Sequence, residues 1–472
     1  MRLIRCETLK LEDFVEDRIP NYIILSHTWG NDEVTFQDLT TFHQSALAVE
    51  KPGGFAKLQG FCKQVLARPV KGVGPIQYCW IDTCCIDKTS SAELTEAINS
   101  MFNWYRNSCE CFVYLSDVKT TDSYDRGGQG GPSFSNSKWW TRGWTLQELI
   151  APNSLTFFNA NWNWLGRKEN MRLQISRITG IPQAVLYRPE AMYRCSVAQR
   201  MSWAALRYTT RTEDIAYSLM GLFNVNMPLL YGEGDKSFVR LQEEILKEST
   251  DHTIFAWFSK HIDGEGSPGA LPDAQIRMSG VLATHPRQFL TSSLFRPAAS
   301  PPIADMSRIE IMSTNVGLRL SLPVVRRNER VLGILSVKPS GPGNTKQTEN
   351  DSGMSNIETW TYLALPLWPE PVGDGRLMRI ASEDPFLLHK SDYSDIKMQK
   401  VYLCKTNWSK RSFIVYRLEA EVIDFGEAAF HISRCFFSTF PLRDLTVFEA
   451  LPKGACWEFW RPNEENEVLL LL

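Results

Sequence analysis

The chain has 472 residues, is 43% hydrophobic and 22% charged, and carries a net charge of −2, the balance of an ordinary globular protein of about two or three domains. That charge leaves no nucleic-acid or anionic-membrane footprint, and no apolar run approaches the length of a membrane span. Fifteen Trp point to large aromatic cores or stacking surfaces, and eleven scattered Cys behind a mixed, charged start point to free thiols in a reducing cytosol.

Tyr22 to Ser26 (YIILS) reads as a buried strand that leaves into the loop HTWG. Phe55, Leu58, Phe61, Cys62 and Val65 then recur at helical spacing. After the turn GVGP, Tyr78 to Asp82 (YCWID) is a second buried strand. Ser90 and Glu93 form a capping box opening a helix whose apolar positions are Leu94, Ile98, Met101, Phe102 and Tyr105. Cys111 to Leu115 (CFVYL) is a third strand, followed by Ser116 and Asp117, and Arg126 to Pro132 is a Gly-rich loop. Next comes WTRGWTLQELIAP, Trp140 to Pro152. Leu146, Leu149 and Ile150 share one side of a short helix there, Gln147 and Glu148 sit beside that side, and Pro152 ends it. Leu155 to Phe158 is a fourth strand and Lys168 to Ile178 a further helix. Strands alternating with helices predict an α/β domain with a parallel, doubly wound sheet.

Further along, a helix is expected over Val197 to Tyr208, and Thr212 is positioned to cap the next one, with Glu213 and Asp214 at its positive end. Ile215, Leu219, Leu222 and Phe223 would form its buried side. Asp235 to Glu248 is amphipathic, with Glu243 and Lys247 as a supporting pair. After Trp257, Gly and Pro cluster over Gly264 to Pro272 and Pro297 to Pro302. Short β-rich runs follow (GLRLSLPVV, VLGILSV, TYLALPLW, MQKVYL, SFIVYRLEAEVIDF and CWEFW), which predict an antiparallel sandwich or barrel. Lys338 to Met354 reads as a mobile polar loop, and the terminal VLLLL as a closing strand.

Ligands in a doubly wound sheet bind beyond the carboxyl ends of the strands. The first three strands end in Ser26-His27-Thr28-Trp29, Asp82 and Ser116-Asp117, and Glu148 is expected near the same rim. A carboxylate on a short helix among Trp rings is either desolvated and chemically useful or merely solvated. His27 reads as a packing residue or an acid–base group, and Asp82 as a loop cap or a ligand contact. Arg142 reads as a surface charge, a partner of Glu148 or an anion contact. Trp29 and Trp144 are core rings or stacking platforms. Cys84 or Cys85 with His27 is a conceivable nucleophile–base pair, but the Cys spacing does not suit zinc and no metal ligand set is assigned. GEGDKS (Gly232 to Ser237) only faintly resembles a phosphate loop.

SHTWG (Ser26 to Gly30), WIDTCCIDK (Trp80 to Lys88), ELTEAINSMFNWYRN (Glu93 to Asn107) and RGWTLQELIAP (Arg142 to Pro152) together resemble the heterokaryon-incompatibility (HET) domain of filamentous fungi. TTRTEDIAYSLMGLF, NMPLLYGEG and DHTIFAW resemble the segment that follows it, so the likeness runs from about Leu3 to Phe258. The resemblance implies a HET domain over 1–180 and a helical extension over 181–258; beyond it the β-rich runs give a domain of unknown role over 270–472. It implies a cytoplasmic trigger of regulated cell death in non-self recognition, working through self-association or another incompatibility protein. The HET domain is also similar, remotely, to Toll/interleukin-1 receptor (TIR) domains, which have a flavodoxin-like sheet. WTLQEL resembles the W-C-x-x-E-L run of plant TIR domains, with Thr145 in place of the Cys. That analogy makes Glu148 the catalytic residue of an NAD glycohydrolase. NAD would be its substrate rather than a cofactor, met by Ser26, His27, Trp29, Asp82, Arg142 and Trp144. The alternative is a non-enzymatic signalling module acting through protein partners.

Overall fold

The computed structural model describes residues 1–15, 18–41, 44–69, 73–119, 134–259, 275–299, 310–327, 330–340, 361–369, 376–380, 384–389 and 396–405, with further strands at 414–417, 435–438, 457–459 and 468–470. The Gly-rich loop expected at Arg126 to Pro132 lies outside the described residues. So do Gly264 to Pro272 and most of Lys338 to Met354.

The N-terminal sheet has seven strands: β1 (Arg2–Arg5), β2 (Lys10–Asp13), β3 (Tyr22–His27), β4 (Tyr78–Trp80), β5 (Glu110–Leu115), β6 (Leu155–Asn159) and β7 (Trp164–Arg167), in spatial order β2-β1-β4-β3-β5-β6-β7. β4, β3, β5 and β6 run parallel. β1, β2 and β7 add antiparallel edges, so the sheet is mixed rather than purely parallel. β3 and β6 are buried along their whole length, which is why they read as continuous apolar runs. The edge strands RLIR, KLED and WLGR are short, charged and half-covered, and they show no such run. Numbered by their order in the chain, the parallel strands lie second, first, third, fourth. The winding therefore reverses between β3 and β5. In an open parallel sheet, connections leave in opposite directions at such a point and open a crevice at the strands' carboxyl ends.

Several local expectations are corrected. β4 stops at Trp80, and Asp82–Cys85 turns into a short helix whose Cys84 and Cys85 amides donate to Ile81 O. Ser90 caps the Ser91–Asn107 helix by accepting from Glu93 N. Glu93 does not complete a capping box, because its carboxylate is taken by Arg2 at 2.8 Å and by the Asp87 amide at 2.7 Å. The helix expected to reach Tyr208 ends at Ser202. Thr212 does not cap the next helix; Glu213 occupies that position. Glu243 pairs with Lys405 at 2.7 Å, while Lys247 turns to Glu244.

The C-terminal region is β-rich, with a ten-stranded and mostly antiparallel sheet. Thr361–Pro369 pairs with Arg330–Ile334, which pairs with Leu318–Arg327, which pairs with Lys397–Leu403. Lys397–Leu403 pairs in parallel with Arg376–Ile380, which returns to Thr361–Pro369. The ladder closes into a ring, the barrel form of the two expected. Val468–Leu470, in the expected closing strand, pairs with Trp457–Phe459. Gln242 of the Lys236–Glu248 helix bonds both backbone groups of Ala283, and Arg379 of the ring donates to Phe255 O and Trp257 O. Among the described residues no helix is long and apolar enough to cross a membrane.

Candidate active site

The rim at the carboxyl end of β3 is assembled from four parts of the chain. β3 delivers Ser26 and His27, both buried. Asp117, just beyond β5, accepts from Ser137 Oγ and Lys138 N, each at 2.7 Å, and so fixes the single turn Lys138–Thr141 that carries Trp139 and Trp140. The helix Thr145–Ile150 then brings in Glu148. The fourth part is the stretch after Ser202. Tyr208 N donates to Thr141 O at 2.8 Å and Gly143 N donates to Tyr208 O at 2.9 Å. A Cβ on Gly143 would lie 2.4 Å from Thr209 Cγ2, so a larger residue there would have to push the Thr209 side chain aside.

Glu148 is 7% exposed, which rules out the solvated reading. Its Oε2 accepts from Ser26 Oγ at 2.5 Å, and Trp139 Nε1 donates to the same Ser26 oxygen at 2.8 Å. An indole N–H can only donate, so Ser26 is fixed as acceptor from Trp139 and its own proton is free for Glu148. Burial pushes the Glu148 carboxyl up to about 8. The negative charge of Asp82 adds to that push, while the Ser26 bond, the Arg142 charge and the Tyr105 hydroxyl oppose it without cancelling it. Tyr105 itself donates to Leu25 O at 2.9 Å.

Arg207 was not singled out by the sequence, yet it underpins this geometry. It is buried, and its Nη1 donates to Arg142 O at 2.8 Å and to Thr145 Oγ1 at 2.9 Å. Burial pulls its guanidinium down to about 9, and the Glu148 charge works against that pull. Trp139 and Tyr105 were also missed as site residues. Their apolar neighbours made both look like core, and only the destination of each polar atom distinguishes them.

The remaining candidates divide. Trp29 is 51% exposed on the rim. Its Nε1 donates to Asp82 Oδ2 at 2.9 Å, and the Lys88 ammonium lies 3.5 Å from its ring centroid. Asp82 thus anchors a rim aromatic. Arg142 acts on Glu148 through its charge, whereas half-buried Trp144 acts on the Asp214 carboxyl, opposing the upward push of burial there. His27 turns to Glu33, with Nε2 and Oε2 3.6 Å apart, and Lys57 holds the other Glu33 oxygen. Burial would raise Glu33, but His27, Lys57 and the Gly30 amide hold it down at about 2. The Cys–His pair is not formed. Cys84 donates to Val34 O at 3.2 Å, Cys85 accepts from Ile81 N, and burial pushes both thiols up. The GEGDKS amides of Gly232 and Gly234 point at an anion from within the chain, the Glu213 carboxylate, at 2.8 and 3.0 Å.

Residues 22–128 match the family model for the heterokaryon incompatibility protein (HET). The chain is also 46% identical over 244 residues to the vegetative incompatibility protein HET-E-1 of Podospora anserina. The chain carries a HET domain. The match with HET-E-1 takes in 50% of this chain and 17% of that protein. Residues 236–347 match a domain of unknown function, DUF8212. No solved structure matches. The HET-domain match contains Ser26, Asp82 and Tyr105 but ends before Trp139, Glu148 and Arg207. The buried carboxyl therefore comes from the segment that follows.

Proposed function

We propose that this chain is an effector of heterokaryon incompatibility that triggers regulated cell death in non-self recognition, and that it does so by hydrolysing NAD at the nicotinamide–ribose bond. The HET domain and the likeness to HET-E-1 support the biological role. The chemistry rests on one observation: a buried carboxyl, hydrogen-bonded by Ser26, at the point where the parallel strands reverse their winding. The same strand order supports kinship with TIR and flavodoxin-like sheets.

Cleavage of the nicotinamide–ribose bond passes through an oxocarbenium-like state, as glycoside hydrolysis does. Nicotinamide leaves without strong acid help. The ionised Glu148 would stabilise the developing positive charge and bond the ribose hydroxyls. A carboxyl with a pKa of about 8 then makes the rate climb with pH, by about tenfold per unit at most, and level off above that value. Trp29 would stack on a ring and Arg142 would meet the diphosphate. Unchanged apparent affinity for NAD in Trp29→Ala would remove that stacking role.

With only 7% of Glu148 exposed, a nucleotide needs the rim to open. We place that opening in self-association, or in contact with another incompatibility protein, in the cytoplasm. The same burial favours a second reading, a non-enzymatic module that signals by assembly. The deciding experiment is nicotinamide release from NAD by the full chain, wild type beside Glu148→Gln, at several protein concentrations. Release that rises steeply with concentration and disappears in the variant supports the hydrolase. Release unchanged in Glu148→Gln overturns the catalytic role. Cell killing retained by Glu148→Gln transfers the function to assembly.

A further inference from the structure

Away from that rim, three cysteines from separate elements converge. Cys6 follows β1, Cys62 lies on the Pro52–Ala67 helix and Cys79 is the middle residue of β4. Their sulfurs all lie within 4.8 Å of one another, and those of Cys62 and Cys79 are 3.8 Å apart. The residues are 4%, 3% and 0% exposed. Backbone pairing or helix packing holds each in place. Cys79 faces Ile4 in the β1–β4 ladder, Cys6 N donates to Gln77 O at 2.9 Å, and Cys62 belongs to the helix's buried set with Leu58, Phe61 and Val65.

A single buried Cys behaves as a small hydrophobe and needs no further account. Three sulfurs gathered within 4.8 Å are a different matter. A disulfide needs its sulfurs at about 2 Å. Two thiolates sharing a tetrahedral ion, with metal–sulfur bonds of about 2.3 Å, sit about 3.8 Å apart, and a pyramidal three-coordinate ion draws them closer. The Cys62–Cys79 separation is an ordinary thiol–thiol contact, and modest side-chain shifts would bring the three sulfurs onto one ion.

The surroundings select the ion. Zinc takes four ligands, and the cluster holds no fourth His, Cys, Asp or Glu among the described residues. The near-zero exposure leaves no open position for water. Thiolates favour soft ions. Three thiolates around a divalent or monovalent ion would leave net negative charge in an apolar core, which is costly. A trivalent ion makes the assembly neutral.

We propose that Cys6, Cys62 and Cys79 form a binding site for a single trivalent thiophilic metalloid ion of the arsenic(III) class, held by three thiolates. Loading from arsenous acid balances without any redox change. Each of its three hydroxyls leaves as water with one thiol proton, and three As–S bonds replace three As–O bonds. The bound ion would tie β1, β4 and the helix above them together.

The test uses the reduced full-length chain and arsenite. The expected result is one arsenic per chain by native mass spectrometry, with three protons lost, and a rise in melting temperature as the ion binds the folded state. Alkylation mapping in mild denaturant should find protection of Cys6, Cys62 and Cys79 that appears only with arsenite, against the arsenite-free chain. Cys62→Ala and Cys79→Ala should each weaken binding by about a hundredfold or more, because the chelate is broken. Cys84→Ala, a buried thiol outside the cluster, should leave it unchanged. Circular dichroism checks each variant's fold, and protection mapping on the wild type does not depend on any variant. Absence of arsenic from the folded, reduced chain would overturn the site, as would arsenite-dependent protection of other cysteines in place of these three. Equal or tighter binding of zinc in competition would overturn the three-coordinate assignment.

Discussion

Glu148 is the residue on which chemistry and stability meet. An unshifted glutamate loses its proton near 4.5, whereas in the fold Glu148 keeps it up to about 8. Between those values the folded chain binds more protons than the unfolded one, so its stability falls as pH rises through the window. Glu148→Gln keeps the shape and removes the titration. The wild-type melting temperature should therefore fall more steeply than the variant's between pH 4.5 and 8, and equal slopes would show that the buried carboxyl is ionised in the fold. Ser26→Ala would leave Trp139 Nε1 without its acceptor, a loss of about 1–3 kcal/mol in urea unfolding. It would also raise the Glu148 carboxyl further, since the Ser26 bond favours the charged form. Glu148, Ser26 and Asp82 were legible because each ends or flanks a recognisable apolar run. Arg207 was not, since nothing local separates a buried arginine from a solvated one until its acceptors are known.

At the level of elements, the helix Thr145–Ile150 has six residues and cannot stand alone. Its C-terminal end is satisfied from outside. At its end Lys168 Nζ donates to Leu149 O at 3.2 Å and Pro152 O at 2.5 Å, while at its start Arg207 holds Arg142 O and the Thr145 hydroxyl rather than the helix amides. Burial pulls the Lys168 ammonium down to about 8. Lys168→Met would fill the space but orphan those carbonyls, at a cost of about 1–3 kcal/mol. An unchanged denaturation midpoint would show that the cap is dispensable. The parallel strands were legible because burial on both faces leaves uninterrupted apolar runs. The edge strands and the early end of the Val197–Ser202 helix were not. Both depend on pairing with distant backbone, as Tyr208 does with Thr141 and Gly143, and periodicity carries no trace of it.

Across the whole molecule, Arg379 ties the C-terminal ring to the segment after the Lys236–Glu248 helix. It is fully buried, donates to Phe255 O and Trp257 O, and lies over the Trp257 ring at 3.3 Å. Burial pulls its charge down to about 9. Arg379→Met should cost roughly 2–5 kcal/mol, because two buried carbonyls lose their donor together with the ring contact. Trp fluorescence and limited proteolysis should report loosening around Trp257, and an unaltered digestion pattern would show that the ring docks without this residue. The barrel was legible only as a choice between two β architectures, because ring closure depends on Arg376–Ile380, a strand that was not read.

Because Arg207 and Tyr208 bind back onto Arg142–Thr145, the unit that holds Glu148 extends at least through residue 208. A recombination joint at residue 128, where the family match ends, or at 180, the expected domain limit, would part β3 from Glu148 or Glu148 from its clasp. Exchange among genes of this kind should preserve function only where crossovers fall outside that span. Chimaeras joined on either side of Tyr208 make the point measurable as the presence or absence of folded product.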